Sequence, residues 1–397
     1  MPVHLPPAVL TINGGSSSIR FAVYDLVPEP RCRQSGMIDR IGLGGSAFSV
    51  DNAKGSPEVR RRLAAGNHPA AAHLLLDWLE SRPRFASIQA VGHRVVHGMR
   101  HSKPERITPK LVADLRSIIP YDPDHLKREI GLIEAFARRY PELPQFACFD
   151  TAFHSDMPRL ARLLPIPRRY GNRGVRRYGF HGLSYAFLME ELGRIDPGAA
   201  NGRVILAHLG NGASLAAVRN GRSLDTSMGF TPAAGLVMST RSGDLDPGLL
   251  SYLARTERMT PARFDRMVNH ESGLLGVSGT SSDMRDLLAR EASDIRASEA
   301  VGLFCYQAMK WIGSYAAVLG GVETLVFSGG IGEHAPAVRE RICAGLAFLG
   351  ISVDRRRNAA NSAVISRRNG RVKVRVIRTN EELMIARSVC REPGLLR

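Results

Sequence analysis

The chain has 397 residues, 44% hydrophobic and 23% charged, which is more than one hydrophobic core usually organises, so two domains are expected. No apolar run reaches the length of a membrane span, and the opening MPVHLPPAVL lacks a basic segment followed by an apolar stretch, so neither a membrane helix nor a signal peptide is expected. The net charge is +17, and only six of the 54 cationic side chains are lysine. No nucleic-acid-binding signature accompanies that charge, and the arginines are scattered in short groups such as RRR at 60–62 and DRRRN at 354–358. They read as a solvated basic surface, with nucleic-acid binding and a basic cleft for small anions as the alternatives. Five widely spaced cysteines form no metal or disulfide pattern and fit a reducing compartment.

The first predicted element is VLTINGGSSSIRFAVYDL (9–26), an apolar strand, a Gly/Ser-rich knot and an alternating strand. A plain hairpin needs two turn residues, whereas this knot adds backbone N–H groups, hydroxyls and Arg20. It reads as a phosphate cradle or as a loose loop. Helices follow near 69–81, 109–118, 125–140 and 184–194, with strands at 89–97 and 145–150. In GHRVVHG (92–98), strand alternation puts Arg94 and Val96 on one face, a guanidinium beside an apolar patch that suits a small carboxylate. Its alternative is a structural ion pair. A zinc site from His93 and His97 is not expected, because no third ligand accompanies them. Asp150, in FDTAFH (149–154), ends a strand, where α/β proteins place catalytic carboxylates, or else it is a turn or cap residue. His181 lies in the tight segment RRYGFHG (176–182).

RVILAHLGNGASLAAVRNGRSLDT (203–226) repeats the opening strand–knot–strand pattern, so two related domains are expected. Arg241 then sits in a turn-rich stretch with Asp244 and Asp246, and Asp283 and Arg285 sit near a helix start that Ser282 or Asp283 could cap. Helices are predicted near 246–256, 261–268 and 294–319. A third strand–glycine turn–helix begins at TLVFSGGIGEH (324–334), and the tail reads strand, turn, helix. The fold class is α/β.

NGGSSSIR, GHRVVHG, FDTAFH, RRYGFHGLS, HLGNGASL, MSTRSGDLDPG, GVSGTSSDMRDL, SGGIGEH and RTNEE occur together in this order. The set resembles the acetate kinase family, over about residues 8–388. The resemblance implies the architecture of the sugar kinase, Hsp70 and actin superfamily, two ribonuclease-H-like domains around a nucleotide cleft. Its expected bounds are 1–149 plus 384–397 for the N-terminal domain and 150–383 for the nucleotide-binding domain. It implies Mg²⁺-dependent transfer of a phosphoryl group from ATP to acetate, giving acetyl phosphate and ADP, with Mn²⁺ as a substitute metal, in a cytoplasmic homodimer without nucleic-acid or membrane partners. Asn13 and Glu381 would then help hold the metal, and Arg20, in place of the usual lysine, would lie near the phosphates. Arg94 and Arg241 would bracket the carboxylate and the phosphoryl group, His181 would donate to that group, and Asp150 is the family's catalytic carboxylate. His208, Leu209, Gly210, Asn211 and Gly212 would cradle the phosphates. Asp283, Met284 and Arg285, with Gly330, Ile331, Gly332, Glu333 and His334, would lie at the nucleoside. Val96, Phe180 and Pro232 would form the acyl pocket. In YDPDHL (121–126) Tyr121 takes the place of a usual histidine, and Tyr185 stands where GFHGxSH ends in histidine. Propionate or butyrate is the same-class alternative acceptor. A non-catalytic nucleotide-binding switch is the alternative from another class.

Overall fold

The computed structural model describes residues 6–392 apart from 16, 28, 43, 44, 64 and 65. Ser16 of the first knot, and the first five residues of the stretch read for a signal peptide, lie outside the described residues. The chain divides into two compact units, Met1–Ala152 with Asn380–Arg397, and Phe153–Thr379. The boundaries taken from the resemblance put Asp150 and Glu381 in the second domain; the contact division places both in the first unit.

The first unit is built on an eight-stranded sheet in the order β5-β4-β3-β2-β1-β6-β8-β7. Its strands are β1 (Ala8–Gly14), β2 (Ile19–Val27), β3 (Glu29–Asp39), β4 (Ala47–Asn52), β5 (Pro57–Arg62), β6 (Ile88–Val95), β7 (Glu105–Arg106) and β8 (Gln145–Phe149). β1 to β5 form an antiparallel meander, while β6 runs parallel to β1 and β8 parallel to β6. β1 and β8 are almost wholly buried, as strands covered on both faces must be. The helices α1 (His68–Glu80), α2 (Pro109–Ser117) and α3 (Pro123–Arg139) belong to this unit. Asn67, Thr108 and Asp122 cap them with side-chain acceptors, each followed directly by the helix's first turn with proline near its start. Phe21, Phe48 and Trp78 stack between the meander and α1, with ring centroids 5.3–6.1 Å apart. The C-terminal helix (Glu381–Cys390) returns to this unit, capped by Asn380.

The second unit holds a five-stranded sheet in the order β11-β10-β9-β12-β13. The strands are β9 (Arg203–Leu209), β10 (Ala213–Arg219), β11 (Arg222–Thr226), β12 (Thr324–Ser328) and β13 (Lys373–Val376). β9–β10 and β10–β11 are antiparallel; β9–β12 and β12–β13 are parallel. This matches β3-β2-β1-β6-β8 strand for strand in order and direction, so the repeat read from the two knots is a repeat of the ribonuclease-H-like sheet. Its helices include α4 (Gly182–Ile195), α5 (Met284–Arg290), the long, half-buried α6 (Ile295–Leu319) and the single turn-and-a-half α7 (Gly329–His334). No helix among the described residues is long and apolar enough to cross a membrane.

Candidate active site

In the first unit the parallel strands deliver the side chains. Asn13 and Arg94 are the penultimate residues of β1 and β6, and Asp150 follows β8. Register places Ile12 opposite His93 and Val95 opposite Phe149, and Asp150 N–H donates to Val95 O at 2.9 Å. Three carboxyl ends of parallel strands therefore share one sheet edge, the usual place for ligand chemistry in α/β sheets. Arg20 pairs with Asn13 across the hairpin and is exposed.

Arg94 lies among carboxylates. Its Nη2 donates to Asp150 Oδ2 at 2.9 Å and its Nη1 to Glu129 Oε1 at 3.3 Å. Burial alone would lower its pKa; Asp150, Glu129 and Glu381 outweigh that and raise it, so Arg94 stays a cation. Glu129 was not singled out in the sequence. It sits on α3 among Leu126, Ile130, Leu132 and Ile133, a charged residue on the apolar stripe, and that misplacement was its only signal. Its Oε2 accepts from Val96 N–H at 2.9 Å, so one carboxylate braces both Arg94 and the backbone of Val96. Burial pushes Glu129 up to about 8 against the opposing pull of Arg94 and the Val96 N–H. Asp122, the α3 cap, also meets His125 Nδ1 at 2.8 Å, and Tyr121 packs its ring 5.7 Å from His97.

Asn13 Nδ2 donates to Glu381 Oε2 at 3.0 Å and to Glu382 Oε1 at 3.3 Å. Burial, with the charge of Asp150 adding to it, raises Glu381 to about 7. No cluster of three or more His, Cys, Asp or Glu side chains arranged for a metal occurs among the described residues. His93 is buried against Gln145 at 2.7 Å, and burial lowers it to about 4, so it is a core histidine.

The second unit carries the other candidates. His181 is the N-cap residue of α4 and adopts the left-handed conformation at φ 59°. A non-glycine residue there is strained, as residues aimed at a ligand often are. Its Nδ1 meets Ser214 Oγ at 2.8 Å, and Tyr185 OH bonds the same Oγ. Tyr185 thus supports the His181 ring through Ser214. With Nδ1 engaged, Nε2 faces Gly212, where an added Cβ would lie 3.0 Å from it and 3.6 Å from Arg241 Nη1. His181, Arg241 and the second knot therefore line one recess, open because residue 212 has no side chain. His208 stacks 4.3 Å from His181 and is fixed through Nδ1 by Ser184 at 2.8 Å. Arg241 Nη1 also donates to Pro232 O at 3.3 Å, while buried Phe180 offers its carbonyl to His154 Nε2 at 3.1 Å. Asp244 and Asp246 accept from Gly235 N–H and Gly248 N–H.

The second knot is held by Gly210 N–H to Gly212 O at 3.0 Å and by Ser239 N–H to Asn211 O at 3.1 Å; Leu209 is buried. It closes on the third knot: Gly329, at φ +75°, lies where a Cβ would come within 2.7 Å of Leu209 O. Glu333 turns inward, its Oε1 accepting from Gly329 N–H at 3.0 Å and Thr379 N–H at 3.1 Å. It holds the turn shut, while Gly330 and His334 are exposed beside half-buried Ile331 and buried Gly332. Asp283 caps α5 through Arg285 N–H at 2.8 Å and pairs with the exposed Arg285 side chain at 2.6 Å; Met284 is buried. Arg339, fully buried, donates to Gly332 O at 2.8 Å and Glu333 O at 3.0 Å, tying α7 to Asn358 and Asn361.

A sequence profile of the acetokinase family matches residues 8–387. An acetate kinase from Rhodopseudomonas palustris is 44% identical over 392 residues, 96% of this chain and 98% of that protein. A propionate kinase from Citrobacter rodentium is 41% identical over 390 residues, 96% of each. The crystal structure of a propionate kinase from Francisella tularensis superposes with a TM-score of 0.90 at 35% identity, covering 96% of this chain and 98% of that one.

Proposed function

The chain belongs to the acetokinase family, and from that premise we propose that it transfers the γ-phosphoryl group of ATP reversibly to acetate, giving acetyl phosphate and ADP. One acetate oxygen attacks the γ-phosphorus, and the bond from that phosphorus to the β–γ bridging oxygen breaks, leaving with ADP. Acetate is ionised near neutral pH, so no proton need be removed from the nucleophile. The catalytic demand is positioning, and stabilisation of charge on the transferring group. The observation that carries this reading is the recess at Gly212, where His181 Nε2 and Arg241 Nη1 converge on space that a side chain would fill. Two donors there stabilise a phosphoryl group's equatorial oxygens.

In the first unit Arg94 binds the acid's carboxylate, and Val96 offers its side chain to the acid's methyl. Asp150 aligns Arg94, and with Glu129 it fixes the guanidinium from two sides. Asn13 and Glu381 would hold Mg²⁺. The fit rests on the donor set: the carboxylates of Glu381 and Glu382 and the Asn13 amide offer hard oxygen donors, and burial, with the charge of Asp150 adding to it, raises Glu381 to about 7, a carboxyl that a nearby cation would ionise. When bound, Mg²⁺ supplies charge neutralisation to the phosphates. His208 to Gly212 cradle the phosphates, Arg20 lies near them, and the turns at Asp283 to Arg285 and Gly330 to His334 face the nucleoside. A homodimer and a cytoplasmic location belong to the same proposal.

Propionate is the second acceptor to test, because Tyr121 packs beside His97 where the family usually has a histidine. The test is acyl phosphate formation with ATP, Mg²⁺ and acetate, propionate or butyrate, trapped as the hydroxamate. Acetate is expected to give the highest kcat/KM. Folded, ATP-binding protein that makes no acyl phosphate from any of the three overturns the kinase reading in favour of a nucleotide-binding switch.

A further inference from the structure

The second unit contains a cavity of about 670 Å³ lined by Arg357, Arg367, Arg368, Arg371 and Lys373 together with Asp196 and Glu323. It opens at the amino ends of the parallel strands, beside Gly202, Thr324 and Lys373. The second and third knots stand at the carboxyl ends of β9 and β12. With a rise of ~3.3 Å per residue, strand length alone separates cavity and knots by roughly 13–17 Å. The cavity is therefore distinct from the candidate active site.

Both acids of the lining are already engaged. Asp196 accepts from Lys373 Nζ at 2.8 Å, from Arg375 and from the Ala199 N–H. Glu323 accepts from Arg203 N–H at 2.7 Å and from its guanidinium at 2.9 Å. Hydrogen bonds hold both carboxyls below their usual range, Asp196 at about 2. The four lining arginines differ. Arg357 reaches only Ser366 O at 3.4 Å, Arg371 only Phe348 O at 3.5 Å, and among the described residues none of the four makes an ion pair. Asp354 is the nearby acid: it accepts from the Arg357 N–H as the cap of its own short helix and its charge also attracts Arg357 and Arg356, which leaves Arg367, Arg368 and Arg371 as the lining arginines without an acid facing them among the described residues.

The backbone that presents them is pinned. Arg367 N–H donates to Ser352 O at 3.1 Å, Gly370 N–H closes the turn on Arg367 O at 3.1 Å, and bridges join Val353 to Ser366 and Val364 to Arg375. Like charges gathered on a fixed turn around a concavity repel one another unless an anion sits among them. Guanidinium forks suit phosphoryl oxygens above other anions. The lining has no aromatic side chain, hence no platform on which a base could stack. Its volume is that of a small-molecule site.

We propose that this cavity is a second anion site that binds a small oligophosphate, recognised by its clustered phosphoryl groups and not by a base. The test is calorimetric titration of sodium tripolyphosphate into the full chain with ADP present in excess, so that any nucleotide site is filled. Wild type is expected to bind one equivalent, more tightly than orthophosphate or citrate and at least as tightly as it binds added ATP. R367A/R368A/R371A weakens that binding by about tenfold or more. R60A/R61A/R62A on β5 of the first unit removes the same charge and leaves the affinity within about twofold. R368E, at the exposed turn tip, is the second variant should the triple variant fail to fold, and it too weakens binding about tenfold. Three results overturn the proposal: no tripolyphosphate binding beyond that of orthophosphate, equal loss in both triple variants, or ATP binding in this cavity about tenfold tighter than tripolyphosphate.

Discussion

Glu129→Ala is the sharpest perturbation of the first unit. The side chain is 1% exposed and accepts one hydrogen bond from Val96 N–H and one from Arg94. Alanine leaves a buried N–H without its acceptor, which costs about 1–3 kcal/mol, and removes one of two braces on a buried guanidinium. Both losses fall on residues proposed to hold the acid, so kcat/KM for acetate should fall about 10–100-fold. KM for ATP should stay within about twofold. Glutamine keeps an acceptor for Val96 and loses only the charge, so E129Q should fall about threefold or less. The assay is initial-rate hydroxamate formation with acetate and ATP varied separately, alongside a melting curve for each variant. E129A with wild-type kinetics for acetate at an unchanged Tm refutes the reasoning. Equal losses in E129A and E129Q would refute the assignment of the effect to the acceptor and move it to the charge. The pH dependence has a definite sign. A carboxyl at about 8 in the fold, against 4.5 as its ordinary value, carries extra protons in the folded state between those values. Its burial is tolerated while it is neutral, so its penalty is absent below pH 4.5 and grows as pH rises toward 8. Wild-type Tm should fall across that window more steeply than that of E129Q.

Tyr185→Phe removes the hydroxyl that supports His181 through Ser214, so kcat should fall several-fold with KM for both substrates unchanged; a KM effect alone would place Tyr185 elsewhere. Arg339→Met strips five hydrogen bonds, four of them to buried acceptors, and should lower stability by about 3 kcal/mol or more, read as Tm, and raise KM for ATP through the α7 turn. Asn13→Ala should raise the Mg²⁺ concentration for half-maximal rate about tenfold while leaving KM for acetate alone; an unchanged Mg²⁺ dependence would remove Asn13 from the metal site. Tyr121→His should raise the acetate-to-propionate ratio of kcat/KM, measured in competition; an unchanged ratio would show that position 121 does not set acyl choice.

By itself the sequence determined the elements whose pattern is local. α1, α3, α4 and α6 announced themselves by apolar periodicity, and the two strand–knot–strand segments announced the repeated sheet. Asp150 was singled out as the end of a buried apolar run and Arg94 as a cation on a strand face, whereas Asn13 entered only through the family resemblance; parallel strands carry all three to one edge. β3, β4 and β5 were not read: PEVRRR and its neighbours are half-exposed and polar, and they become strands only because β2 offers an unpaired edge. The tertiary structure alone decided the partners. Glu129 lies 35 residues from Arg94, and its place on the apolar stripe of α3 marks it as unusual without naming its partner, which is set only when α3 packs against β6. Tyr185 and Ser214 likewise meet only through the fold, as do the Glu333 carboxylate and the Thr379 N–H. Four arginines that form no ion pair within 4 Å among the described residues gather around one cavity because a turn and a short helix bring 357 and 367–371 together. Periodicity and caps are short-range properties of a chain, whereas which charge faces which depends on contacts between distant segments, and those are fixed only when the sheets and helices pack.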